Sequence, residues 1–169
     1  DDFALLTPEE VKIFDSSGKS VSRDVQLINT DPVTLSKGNY KHFMEKEIFE
    51  QPEIISQVLG FYLNASEETL TLPPLPKSSE IKRILLVGCG TAFYSCLVAK
   101  YWFESISEVP THAELASEFR YRSPVLNKDD LLVFVSQSGE TADTVGALRF
   151  AREHTNNILA IVNVEQSSL

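Results

Sequence analysis

Three dense apolar runs, IKRILLVG, DDLLVFVS and ILAIVNV, punctuate the second half of the chain, and longer stretches with helical spacing separate them. A short, continuous apolar run reads as a strand buried on both faces, because a strand with one wet face would alternate. The first run is followed by CGTAFYSCLVAKYWFESIS, which reads as a helix. Phe93, Leu97, Lys100, Tyr101 and Glu104 form one line along it, and Cys96, Ala99 and Phe103 form the next. VPTHAELASEF supplies a weaker strand with a helix start or loop after it. GETADTVGALRFAREH supplies a second helix, with Val145, Leu148 and Ala151 turned inward. This alternation predicts β-α-β-β-α-β or β-α-β-α-β-α-β, an α/β fold with a parallel sheet and helices on both faces.

The first half has a different grammar. DFALLT is a candidate strand, and VKIF, the turn DSSG and the resumption at Lys19–Val21 read as a hairpin. DPVTLSKGN is turn-rich. In NYKHFMEKEIFEQPEIISQVLGFYLN, helical spacing links Tyr40, Phe43, Met44, Glu47, Ile48 and Gln51, with Asn39 placed to cap. Pro52 is expected to open a second helix carrying Ile55, Val58, Leu59 and Tyr62. SEETLTLPPLPKSSE reads as a proline-rich linker.

Charge and composition narrow the function. The net charge is −9 and no basic stripe is present, so duplex nucleic acid would be repelled. No apolar run approaches the roughly 20 residues of a membrane span. The N-terminal DDFALLTPEE lacks the basic and apolar regions of a secretory signal, so a cytoplasmic location is expected. Cys89 and Cys96 stand seven apart with no second pair and no His near enough to complete a metal set. They read as free thiols, and no metal site is expected.

In open α/β sheets ligands collect beyond the carboxyl ends of the strands. Two strand ends carry suggestive loops. In LLVGCGTAF, Gly88 and Gly90 permit a tight turn, but Phe93 stands where a dinucleotide fingerprint needs a small residue. In SQSGET, Ser136, Ser138 and Thr141 offer three hydroxyls. Gly139 opens the backbone, and a helix start follows with free N–H groups. Hydroxyls and amides together suit a phosphate monoester without a cation. The plainer alternative is a helix N-cap at Ser138, which needs only one such residue.

SQSGETADT resembles the phosphate loop of sugar isomerase (SIS) domains. With GCGTAFYS, YWFES and ASEFRYR it resembles the isomerase half of the glutamine–fructose-6-phosphate aminotransferase family, the glucosamine-6-phosphate synthases. YKHFMEKEIFEQP resembles the helix that begins that half, and KIFDSSGKSV resembles the last hairpin of the family's glutaminase half.

The resemblance implies a flavodoxin-like SIS sheet, incomplete here, preceded by a β-hairpin remnant of an Ntn glutaminase domain. It implies three parts: residues 1–38 as the glutaminase tail, 39–80 as interdomain helices and linker, and 81–169 as a first SIS subdomain cut short. The family's enzymes make glucosamine 6-phosphate and glutamate from fructose 6-phosphate and glutamine. No cofactor is implied. Ser136, Gln137, Ser138 and Thr141 would hold the sugar phosphate, while Thr91 and Ala92 would line the sugar from the other loop. Ala92 replaces a serine usual in the family, at a cost of about 1 kcal/mol for one hydrogen bond.

No catalytic residue is expected within these 169 residues, and the isolated polypeptide is expected to be inactive. His42, His112 and His154 are expected to be surface or packing residues. Glu140 is expected to serve the first turn of its helix, and Glu118, Arg120 and Arg122 to be structural or interface residues. Expected partners are a sugar phosphate, either fructose 6-phosphate or glucosamine 6-phosphate, and a second copy in a homodimer, with no nucleic acid and no membrane. The alternative function is a non-catalytic SIS module that senses a sugar phosphate.

Overall fold

The computed structural model describes residues 2–24, 36–64, 66, 68–72, 74–75, 80–164 and 166–169. Most of DPVTLSKGN and much of the proline-rich stretch lie outside the described residues. The chain divides into two compact units, Asp1–Thr71 and Leu72–Leu169.

In the first unit, β1 (Phe3–Leu6) pairs antiparallel with β2 (Val11–Phe14), which pairs with β3 (Ser20–Val21). Phe3 and Phe14 stack across the first pair at 5.1 Å. The Asp15 carboxylate closes the β2–β3 turn by accepting from the Ser17 and Lys19 amides at 2.9 and 3.1 Å. These bonds hold its carboxyl below the usual carboxylate range, with the Ser17 hydroxyl the largest contributor.

The expected helix break at Pro52 does not occur. One helix, α1 (Phe43–Tyr62), runs through it, and its N-cap is His42 rather than Asn39. Proline deletes one rung of the hydrogen-bond ladder, and the turns on either side supply the others. The start of the expected linker is also structured. β4 (Leu63–Asn64) pairs with β5 (Thr69–Leu70), and Asn64 Oδ1 takes the Ser66 amide at 3.2 Å inside the turn.

The second unit holds β6 (Arg83–Gly88), α2 (Thr91–Ser107), β7 (Thr111–Leu115), α3 (Ala116–Phe119), β8 (Asp130–Ser136), α4 (Ala142–Arg152) and β9 (Ile158–Val162). The four strands form one sheet in the order β7-β6-β8-β9, and every neighbouring pair is parallel. This is the longer of the two expected alternations, with the weak region resolved into a five-residue strand and one helical turn.

Strand residues divide by parity, as a doubly covered sheet requires. Leu85, Val87, Leu132 and Phe134 pack with Phe119, Ala147, Leu148 and Ala151 on the α3–α4 side. Ile84, Leu86 and Val133 pack with Cys96 on the α2 side. Phe119 meets Phe134 and Phe150 edge-on, at 6.4 and 6.1 Å. Burial pushes the Cys96 thiol up to about 11, which keeps it protonated and unreactive. Of the residues expected to face inward on α4, Leu148 and Ala151 are buried and Val145 is half-buried. On α2 the buried residue is Cys96, while Tyr101 is exposed.

Candidate functional site

The chain leaves β6 toward β7 on one side, then returns to lay β8 on the other. The carboxyl ends of β6 and β8 are therefore neighbours at a topological switch point, where open α/β sheets form their ligand crevice. Gly88 and Val135 are register partners, so the loops that follow start side by side. Each loop feeds a helix whose N-cap makes no side-chain capping bond: Gly90 for α2 and Thr141 for α4. Two helix starts with their amides and positive dipole ends thus share one edge of the sheet.

The first loop is shaped by its glycines. A Cβ at Gly88 would lie 3.0 Å from the backbone of Ala92 and Phe93, so only glycine lets α2 begin this close to β6. Gly90 takes φ +58°, the left-handed region. Thr91 is exposed at the helix start and Ala92 is half-buried behind it.

The second loop organises its own hydroxyls. Ser136, only 4% exposed, accepts from the Gly139 amide at 3.1 Å and shares a 3.3 Å bond with the Thr141 hydroxyl. Ser138 is half-buried and accepts from the Glu140 amide at 3.2 Å. Gln137 is exposed, and its carbonyl accepts from the Asn163 amide at 3.3 Å. Ser138 is therefore not the helix N-cap, and the capping explanation of the hydroxyl cluster does not describe it. The proton count is informative. Ser136 and Thr141 have two hydroxyl protons and use one between them. Ser138 uses its oxygen as acceptor. Two hydroxyl protons remain for an outside acceptor.

Glu140 does not serve the first turn of α4. Its two carboxylate oxygens accept from the Ser168 amide and the Ser168 hydroxyl, both at 2.7 Å. Those bonds, the hydroxyl first, hold its carboxyl below the ordinary carboxylate range. The Leu169 amide donates to the Gly139 carbonyl at 3.2 Å. The segment after β9 thus lies against the loop. Sequence reading missed this contact, because residues 28 apart with no periodic pattern carry no local signal.

The other polar residues singled out lie away from these loops or have partners. Arg122 pairs with Glu114. Arg120 bonds the Tyr121 hydroxyl at 2.5 Å and lies 3.8 Å from Asp143. His42, His112 and His154 are exposed. A hollow of about 400 Å³ lined by Lys82, Arg83, Lys128 and Asp130 sits at the amino-terminal end of the sheet, opposite the two loops.

Residues 79–169 match the SIS domain family. Across 99% of this chain, the glutamine–fructose-6-phosphate aminotransferase (isomerizing) of Bartonella henselae is 48% identical, and that of Zymomonas mobilis is 46% identical. The chain spans 28% of the length of each of these curated relatives. The C-terminal domain of glucosamine-fructose-6-phosphate aminotransferase from Francisella tularensis superposes with a TM-score of 0.69 at 42% identity. That match covers 79% of this chain and 38% of the other. A glucosamine-6-phosphate deaminase from Thermotoga maritima shares the fold, with a TM-score of 0.58 at 22% identity over 73% of this chain and 35% of that one.

Proposed function

This chain belongs to the SIS domain family, and from that premise we propose that it is the part of a glutamine–fructose-6-phosphate aminotransferase that holds the sugar phosphate. The anion sits at the start of α4. Ser138 and one member of the bonded Ser136–Thr141 pair donate to it together with the free amides of the first turn of α4, Gln137 stands at its rim, and Thr91 and Ala92 face the sugar from the neighbouring loop. The observation that carries this reading is the convergence of two uncapped helix starts and two uncommitted hydroxyl protons at one switch point. Near-full-chain identity to the named aminotransferases supports it. The whole enzyme would make glucosamine 6-phosphate from fructose 6-phosphate and glutamine, with the proton-transfer groups supplied from outside these 169 residues.

In the same reading residues 1–38 belong to the glutaminase domain, 39–80 join it to the isomerase half, and 81–169 begin that half. Homodimerisation fits the exposed apolar face of α2, where Trp102 is 64% and Ile106 82% exposed. No helix among the described residues is long and apolar enough to cross a membrane.

The test is thermal unfolding with and without fructose 6-phosphate. Ligand at about 100 times its dissociation constant should stabilise the chain by roughly 2.7 kcal/mol. Ser138→Ala should shrink that gain by about 1 kcal/mol at the same ligand concentration, the value of one lost hydrogen bond. A melting curve that ignores the ligand would contradict the reading.

A further inference from the structure

Glu140 poses a physical problem for an anion site, since a carboxylate beside a bound phosphate should repel it. The structure gives this carboxylate another task. We propose that Glu140 is the positioning residue of the loop: it ties the segment after β9 against Gly139 and so orients the hydroxyls that meet the anion. This rests on the phosphate-binding reading above.

Both Glu140 oxygens are occupied by Ser168, through its amide and its hydroxyl, at 2.7 Å each. These are charge-assisted bonds and among the stronger kinds a loop can make. One residue on, the Leu169 amide holds the Gly139 carbonyl, and the Leu169 side chain packs on the core cluster beneath α4. Gly139 takes φ +68° and lies under the Ser167 side chain, where a Cβ has no room. The segment therefore grips two successive residues of the loop from outside.

That grip fixes the peptides whose N–H groups point inward. The Gly139 amide donates to Ser136 and the Glu140 amide to Ser138. With those oxygen lone pairs taken, the remaining hydroxyl protons can serve an outside acceptor. Both carboxylate oxygens are engaged by Ser168.

The experiment is a titration of inorganic phosphate, and separately of fructose 6-phosphate, into the parent chain, Glu140→Ala and Glu140→Gln. It is paired with hydrogen exchange at the Gly139 and Ser168 amides without ligand. A bystander carboxylate predicts that removing its charge tightens anion binding. The positioning role predicts the opposite sign: Glu140→Ala weakens both ligands by roughly tenfold, the equivalent of one charged hydrogen bond. Glu140→Gln, which keeps an acceptor for the Ser168 amide, weakens them by less. Exchange at both amides should speed up in Glu140→Ala. Equal or tighter binding by the variants, or unchanged exchange, overturns the proposal. A parent chain that ignores both ligands would instead refute the binding reading, and the exchange comparison would still decide whether Glu140 fixes the loop.

Discussion

Replacing Asp130 by alanine is expected to destabilise the second unit by about 3–5 kcal/mol, the usual cost of breaking a buried ion pair from one side. Asp130 is 1% exposed at the first residue of β8. It accepts from Arg83 Nε at 2.9 Å, Arg83 Nη2 at 2.5 Å and the Asn127 amide at 2.6 Å. Arg83 opens the neighbouring strand, and the two residues are register partners. The bidentate pair therefore sets where β6 and β8 begin against one another, and so where their far ends deliver the two loops. Its bonds to Asp130, ahead of every other influence, raise the Arg83 guanidinium further above its already high range. Truncation leaves Arg83 with the Val125 carbonyl at 2.7 Å and leaves the Asn127 amide without its carboxylate. Chemical denaturation of Asp130→Ala against the parent measures the loss. A change below about 1 kcal/mol would mean the pair contributes no more than an exposed salt bridge.

Gly139→Ala is expected to reduce phosphate and sugar-phosphate affinity by roughly 30-fold or more, because two costs fall on one residue. The left-handed backbone at φ +68° costs an L-residue about 1–2 kcal/mol. The new Cβ would also strike the Ser167 side chain, with Val162 Cγ1 only 3.5 Å away, and overpacking of this kind costs about 1–3 kcal/mol. Relief requires that either the loop or the segment after β9 move, and both moves disturb the peptides that order Ser136 and Ser138. Gly90→Ala is the control. Gly90 also has positive φ, but a Cβ there meets nothing within 4 Å, so only the conformational cost applies. Calorimetric titration of both variants separates strain from collision. Equal losses in the two would show that the contact with Ser167 is unimportant.

Much of this was legible in the sequence. Apolar runs at 83–88 and 130–136 give strands buried on both faces, whereas 158–162 is an edge strand with Ile161 54% exposed, so its apolar density foretold the strand but not its burial. The loop at Ser136–Thr141 stood out because three hydroxyls are more than a helix cap needs. Two kinds of information were hidden. At Pro52, local preference argued for a break, whereas a helix of twenty residues absorbs the loss of one rung. At Glu140, local position argued for a helix-dipole role, whereas its partner arrives from 28 residues away. The internal bonding of Ser136 was equally invisible, since spacing shows which hydroxyls are near but not which lone pairs are taken.

Amide chemical shifts of the chain, followed by NMR as fructose 6-phosphate and then unphosphorylated fructose are added, report directly on whether the loop after β8 holds a phosphate. Saturable movement is expected at Ser138, Gly139, Glu140 and Thr91 with the phosphorylated sugar, and none of comparable size with fructose. Shifts confined to other parts of the chain, or an equal response to both sugars, would contradict phosphate binding at this loop.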